Sequence, residues 1–447
     1  MAGRQRRDVG PLGSPPTIVT LLTVFAFAAS PVATVVLLVA KLGWVTALLL
    51  GWIVAPIAAV AGAMLVLVWT TPFRRTDTLS LRPHRRGAPP VAGPVDTPIA
   101  ISVIMPVYNG RHYLVRSLPP LVRMAEAGAI REVILVDDGS DDGSADYGRE
   151  IGATVTLSPA RRGPGSARNI GAHQAEGDVL WFVDADVVVH PEAVERVWAA
   201  FQDPTVVAVF GSYDDRPAGP NFGSQYKNLV HHHYHQHANP EASTFWTGCG
   251  AARKTAMLSI GGFDAEAYAI PAMEDVDLGY RLRQNGGSIR LDRNLLSTHL
   301  KNWTVPELVR TDIFQRALPW SRIMLKQEQV LDDLNVGTFE RLRAVCAGLM
   351  VLVVIAVAAG LVSPWWLVPT LLTTLTGNWH LFRLFHRRHG VLFALAALAF
   401  HQVYYLYSSA AFVWCWLESK AAKLFPARSG AARAENVEAQ DSVPLSP

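Results

Sequence analysis

The chain opens with two apolar runs, residues 17–40 and 43–69, each long enough to cross about 30 Å of hydrocarbon as a helix. They predict a pair of transmembrane helices over 17–70, after a short polar N-terminus at 1–16. Residues 71–98 are rich in proline, glycine and arginine and read as a linker. From residue 99 the pattern changes. Short apolar, β-branched runs at 101–107, 132–136, 154–157, 178–183 and 205–210 predict strands buried on both faces, and stretches at 165–175 and 192–201 carry helical spacing. That alternation predicts an α/β domain with a mainly parallel sheet over 99–303. An interfacial helical segment follows at 304–343. Apolar runs return at 344–362, 365–375 and 391–417 and predict about three transmembrane helices over 344–418, with a small, polar, disordered tail at 419–447.

Composition supports a membrane assignment. Of 447 residues, 50% are hydrophobic and only 17% charged, an unusual balance for a soluble protein. The net charge of +3 is small and its basic residues are dispersed, which excludes a nucleic-acid-binding surface. Cys249, Cys346 and Cys415 lie far apart and imply no disulfide framework. Arg4, Arg6 and Arg7 precede the first span, and Arg74, Arg75, Arg82, Arg85 and Arg86 follow the second. The positive-inside rule then places the central domain in the cytoplasm of an integral protein of the cell membrane. A signal peptide is the alternative for the first run, but the run is long for one and a second span follows at once. Three C-terminal spans put the C-terminus outside, whereas Lys420, Lys423 and Arg428 favour the inside.

Chemistry-bearing residues gather at the strand exits. Ser102 to Asn109 and Val136 to Ser140 both run from a strand into a turn, and ligands of open α/β sheets bind beyond the carboxyl ends of strands. Asp137 and Asp138 there can accept hydrogen bonds from a nucleobase or ribose, or simply close an Asx turn and cap a helix. Asp184 and Asp186 follow an apolar strand two residues apart. Paired carboxylates suit Mg²⁺ or Mn²⁺ held jointly with substrate phosphates, and such an ion stabilises a departing phosphate. Downstream, Glu274, Asp275 and Asp277 open a helical segment, either as dipole-stabilising acids or with one of them as a general base.

These motifs together resemble the family 2 glycosyltransferases, with their Rossmann-like GT-A fold. The matching residues are Pro106-Val107-Tyr108-Asn109, Asp137-Asp138-Gly139-Ser140, Arg168-Asn169, Asp184-Ala185-Asp186, Gly261-Gly262-Phe263-Asp264 and Glu274-Asp275, in the family's order. The resemblance implies an inverting transfer from a nucleotide-sugar donor with Mg²⁺ or Mn²⁺. It implies that Pro106, Tyr108, Asp137 and Asp138 hold the nucleoside, with Arg162 or Arg168 near the nucleotide. Asp184 would help bind the sugar nucleotide and Asp186 would ligate the metal. Asp275 would be the base with Glu274 its nearest rival, and His299 lies where some relatives supply a further metal ligand.

The acceptor side is less sharply marked. Trp246, Gly248 and Cys249 fall where related enzymes place an acceptor-facing loop, with Phe245 and Trp246 either stacking on a sugar or sitting in the core. Gln315-Arg316-Ala317-Leu318-Pro319-Trp320 departs from the Gln-x-x-Arg-Trp motif of membrane polysaccharide synthases, with leucine at the arginine position. Gln315, Arg316 and Trp320 are acceptor candidates or an interfacial anchor. His231 and His235 share a helical face and read as a groove lining near phosphates or, alternatively, as metal ligands. The expected partners are the donor, the bilayer and a lipid, polyprenyl phosphate or glycan acceptor. Two alternatives remain: a processive exopolysaccharide synthase, and a catalytically silent glycan-binding or export component.

Overall fold

The computed structural model describes residues 99–268, 273–326 and 334–424. The expected helical pair at 17–70 and linker at 71–98 lie outside the described residues, as does the tail beyond 424. The described residues fall into two compact units, one holding 99–347 and 372–424, the other 348–371.

The first unit is built on a nine-stranded sheet: β1 (Ile101–Val107), β2 (Glu132–Asp137), β3 (Thr154–Leu157), β4 (Val179–Val183), β5 (Val187–Val189), β6 (Val206–Tyr213), β7 (Glu241–Ala242), β8 (Cys249–Arg253) and β9 (Ser288–His299). Its order is β3-β2-β1-β4-β8-β6-β9-β5, with β7 on β9. The expected parallel block is present as β3-β2-β1-β4. Antiparallel β8 joins it to β6, which runs parallel to β9, while β5 and β7 pair antiparallel with β9.

Strands β1 and β4 are buried at every residue, because both faces of the sheet are covered. On one face Val103, Met105 and Val107 of β1 and Trp181 of β4 pack with Leu114, Leu118 and Leu121 of α1 (Arg111–Glu126) and Val197 of α4 (Ala193–Ala200). On the other, Ile104, Leu180 and Phe182 pack with Ala167 and Ala172 of α3 (Pro164–Gln174) and Leu278 and Leu282 of α7 (Glu274–Gln284). Each large side chain so buried stabilises the fold by roughly 1.5–3 kcal/mol. Helices α2 (Ser144–Glu150), α5 (Phe222–His237) and α6 (Lys254–Ser259) complete the layers.

After the sheet come α8 (Val305–Thr311), a π-helical turn (Asp312–Ala317) and α9 (Leu318–Lys326), all inside the segment expected to be helical and interfacial. Next are α10 (Thr338–Ala358), α11 (Leu367–Gly377) and α12 (Trp379–Leu424). Helix α12 breaks once, at Gly390 with φ 80°, and His386 to His389 are helical. Its helix also continues past residue 418 to Leu424, into the expected tail, since Glu418 to Leu424 contain no helix breaker. Among the described residues, Thr338–Ala358 and Trp379–Ala422 are long and apolar enough to cross a membrane. Leu384, Phe385, Ala394 and Ala397 of α12 bury against Tyr226, Leu229 and Val230 of α5.

The second unit, in its described part, comprises the end of α10, a 3₁₀ turn at Pro364–Trp366 and the start of α11. Ser363 caps that turn, its Oγ accepting from the Trp365 amide at 3.4 Å.

Close approach of β6 to β9 requires glycine at one point. A Cβ on Gly211 would lie 1.9 Å from the Leu295 carbonyl oxygen, beside the register shift between Phe210 and Ser212. Gly211→Ala is expected to destabilise by about 1–3 kcal/mol, as overpacking does. The melting midpoint of the purified full chain checks this, with Gly377→Ala, which lies in α11 and meets nothing within 4 Å, not lowering it.

Candidate active site

The turns after β1 and β2 interlock. Asp137 closes an Asx turn, its Oδ1 accepting from Gly139 N at 3.0 Å and Ser140 N at 2.7 Å, with Gly139 at φ 91°. Its Oδ2 is buried and has no hydrogen-bond partner among the described residues. Asn109, in the left-handed region at φ 49°, donates its amide to Ser140 Oγ and accepts from Asp141 N through Oδ1. Asp138 accepts from Arg162 N at 3.1 Å and Gly163 N at 2.8 Å, so its carboxylate fixes the loop that starts α3. Tyr108 is exposed, and the guanidinium 3.7 Å over its ring belongs to Arg161, a residue the sequence reading passed over beside Arg162. The Pro106 backbone lies in β1 paired with Val136.

Behind these turns lies a buried ion triad. Arg168 on α3 donates to Asp184 Oδ1 at 2.7 Å and to Glu274 Oε1 at 2.9 Å, with its side chain 4% exposed. It thereby joins the end of β4 to the start of α7. Arg168, expected near the nucleotide, is buried between two carboxylates and acts here by positioning them. Burial raises the Asp184 pKa above its ordinary value, with Asp186 and Glu274 adding to it and Arg168 opposing it.

Asp186 sits beside His299. Burial pushes its carboxyl up, but His299 and Lys301 outweigh that and hold it below the ordinary carboxylate value. Asn228 on α5 donates Nδ2–H to the Ser224 carbonyl at 2.9 Å, which turns its Oδ1 toward His299 Nδ1 at 2.8 Å. That oxygen can only accept, so Nδ1 carries the proton and Nε2 faces Asp186 Oδ2 at 3.3 Å. Orienting one ring nitrogen through the other is how metal-bound imidazoles are commonly held. Carboxylates with one imidazole suit Mn²⁺ or Mg²⁺, so these residues fit the expected ion. Among the described residues no three His, Cys, Asp or Glu side chains form a closed metal site, so substrate phosphates and water would complete the ligand set.

Glu274 and Asp275 begin α7 side by side but differ in environment. Glu274 is buried against Arg168, whereas Asp275 is half-buried and accepts from Thr247 N at 3.3 Å, Thr247 Oγ1 at 3.4 Å and Val276 N at 2.8 Å. Burial, then the neighbouring Glu274 charge, pushes the Asp275 pKa up to about 7. A carboxylate near 7 suits proton transfer at neutral pH. The start of α3 lies close to Glu274, and the end of β4 to the segment carrying Thr247. A Cβ on Gly165, just after the loop Asp138 holds, would lie 3.7 Å from Glu274 Cγ, and Asp184 N donates to Gly248 O at 3.3 Å beside Thr247.

The expected acceptor residues divide. Trp246 belongs to a partly exposed aromatic cluster: its ring meets Tyr213 at 4.8 Å and His231 at 4.7 Å, and Tyr213 stacks on His299 at 4.4 Å. Phe245 is core, edge-on to Phe182 and Phe210. Gly248 leaves room for the Trp246 indole, which a Cβ would strike at 2.3 Å. Cys249 is a correction: it is wholly buried in β8, its thiol pKa is pushed up to about 12 by burial, and it faces no acceptor. His231 and His235 stack at 3.9 Å and pack on Trp246, so their shared face fills an aromatic cluster.

Arg316, in the π-helical turn, donates to Asp312 Oδ1 at 2.8 Å, which also takes Lys227 Nζ at 2.7 Å. Trp320 Nε1 donates to the Tyr280 hydroxyl at 3.3 Å, tying α9 to α7, while Gln315 is half-buried in the same turn. Lys227, Asn228 and Asp312 escaped the sequence reading. A signal existed in the polar stripe of Ser224, Asn228, His231 and His235 at helical spacing.

Residues 102–261 match the family model described as Glycosyl transferase family 2. An uncharacterized glycosyltransferase of Haemophilus influenzae is 32% identical over 118 residues, covering 25% of this chain and 46% of that protein. Validoxylamine A glucosyltransferase of Streptomyces hygroscopicus subsp. limoneus is 27% identical over 237 residues, 46% of this chain and 52% of that one. Pre-mycofactocin glycosyltransferase of Mycobacterium tuberculosis is 29% identical over 225 residues, 45% and 44%. The chain thus spans about half the length of these curated relatives, or less. Among solved structures, mannosyltransferase PcManGT from Pyrobaculum calidifontis with GDP-Man and Mn²⁺ aligns at a TM-score of 0.39 and 18% identity, over 81% of this chain and 97% of that one.

Removing the central cation tests the triad. Arg168→Met leaves Asp184 and Glu274 buried without their common partner and is expected to cost roughly 3–5 kcal/mol, as a broken buried pair does. Denaturant unfolding of the full chain measures it.

Proposed function

Residues 102–261 carry a family 2 glycosyl transferase domain, and on that premise we propose that the chain moves a sugar, with inversion, from a nucleotide-sugar donor to a hydroxyl or phosphate of a membrane-associated acceptor. The observation that supports this most is the meeting of Asp184, Arg168, Glu274 and Asp275, from three separate stretches of sequence, at the carboxyl ends of the parallel strands.

In this reading Tyr108 and the turns held by Asp137 and Asp138 seat the nucleoside. Asp186 and His299 hold the divalent ion, with Asp184 beside them. Bound there, Mg²⁺ or Mn²⁺ supplies positive charge to the departing diphosphate. Asp275 takes the proton of the acceptor hydroxyl as its oxygen bonds to the anomeric carbon and the bond to the diphosphate oxygen breaks. Glu274 is the weaker candidate for base, because Arg168 holds its carboxylate in an ion pair. Trp246 offers the acceptor an aromatic face, and Arg316 and Trp320 lie on the helical segment that follows the sheet. The two long apolar helices favour an acceptor at a bilayer, and the arginines flanking the first two apolar runs favour its cytoplasmic side for the domain. Leu318, at the arginine position of the synthase motif, favours a single transfer over processive extension.

A panel of nucleotide sugars, scored for release of nucleoside diphosphate by the full chain in detergent, is expected to reveal one preferred donor. Its turnover should cease with a chelator and return with Mn²⁺ or Mg²⁺; turnover unaffected by chelation counts against the ion site.

Asp275→Asn should lower kcat by about 10²–10⁴-fold, and the wild-type rate should fall on the acid side of about 7 as this carboxylate protonates. Stability carries the opposite sign. A carboxyl raised in the fold stabilises it at low pH and loses that contribution as pH rises toward 7, so Asp275→Asn should gain melting midpoint relative to wild type at pH 8 but not at pH 4.

A further inference from the structure

Away from the strand ends, two helix faces flank a half-open cavity of about 400 Å³, a volume typical of small-ligand sites. Helix α5 contributes His232, His233, Gln236 and His237, and the first turns of α12 contribute His380, Arg383, Leu384 and Arg387. The spacing explains the convergence: residues 233, 236 and 237, and residues 380, 383, 384 and 387, each lie on one side of a helix. Aromatic and aliphatic contacts of Tyr226, Leu229, Leu384 and Phe385 hold the two helices together below it.

The lining contains no carboxylate. Among the described residues Arg383 and Arg387 make no hydrogen bond or ion pair, in contrast to Arg388, which pairs with Asp215. His233, 6% exposed, has an Nδ1 with no partner there either. Two guanidinium groups without a carboxylate partner, beside imidazoles that can donate or accept, make the cavity positive, and arginine forks match phosphate oxygens in geometry.

We propose that this cavity is an anion site for a phosphate group, distinct from the donor crevice. His231 and His235, on the opposite side of α5, pack toward Trp246, so the helix separates the two places. The position of the cavity suits a phospholipid headgroup. Arg387 comes three residues before the break at Gly390, beyond which Val391, Leu392 and Leu395 are exposed on the apolar part of α12. Basic pockets where a polar domain meets apolar helices recognise anionic headgroups in this way. Free phosphate offers the same chemistry from solution.

The test uses the full chain in zwitterionic detergent, with its melting midpoint followed against inorganic phosphate and, separately, short-chain phosphatidylglycerol. A saturable rise is expected, and Arg383→Gln with Arg387→Gln should raise the half-saturating concentration about tenfold or more, the loss of charge-assisted bonds. The corresponding Lys pair should keep most of the response, and Arg149→Gln, an exposed arginine elsewhere, should keep all of it. A response to lipid alone assigns the headgroup, and an equal response to phosphate assigns the soluble ion. No saturable response to either, or an unchanged half-saturation in the Gln pair, overturns the proposal. If the Gln pair fails to fold, Arg387→Gln alone, at an exposed position, is read by the same criteria.

Discussion

One buried guanidinium organises the strand-end crevice. Arg168 bonds to Asp184 at the exit of β4 and to Glu274 at the entry of α7, segments ninety residues apart in sequence. Burying one cation between two anions is costly in desolvation, and the geometry recovers that cost only when all three are in place. The consequence is positional. Asp184 and Asp186 share a short turn after β4, and Asp275 follows Glu274, so the pair that fixes the elements also fixes the groups beside them.

The same arrangement separates two adjacent acids by environment. Glu274 spends its charge on Arg168, while Asp275, facing Thr247 and its neighbour's negative charge, is driven toward neutrality. At the other end, His299 is aimed by Asn228 and leaned on by Tyr213, so that its other ring nitrogen meets Asp186. An acid poised near neutral pH and an acid held charged are the two requirements of an acid–base and a charge-binding role in one crevice.

Much of this was readable in the amino-acid sequence, for a physical reason. Strands β1, β2, β4 and β6 are covered on both faces, so they are written as continuous apolar runs, whereas β3, also expected to be buried, is the edge strand and leaves Thr154 and Leu157 exposed. Strand β8, Cys-Gly-Ala-Ala-Arg, was hidden because its small residues lie opposite Trp181 and Phe182, where bulk would not fit. Strand β9 was hidden because its burial alternates and breaks, leaving Arg290, Arg293 and Asn294 at the surface. Among site residues, the acids announce themselves at strand ends, whereas Cys249 looked loop-like and is core. The double pairing of Arg168 and the Asn228–His299 bond join residues far apart in the chain, and no local pattern encodes such contacts.

The account stands on Asp186 and His299, from distant segments, sharing one divalent ion with a nucleoside diphosphate. Electron paramagnetic resonance of Mn²⁺ titrated into the full chain, with and without uridine or guanosine diphosphate, measures that directly. Binding of one Mn²⁺ per chain, tightened by the nucleotide and lost in Asp186→Ala, is the predicted result. Mn²⁺ binding that is indifferent to the nucleotide and unchanged in Asp186→Ala would contradict it.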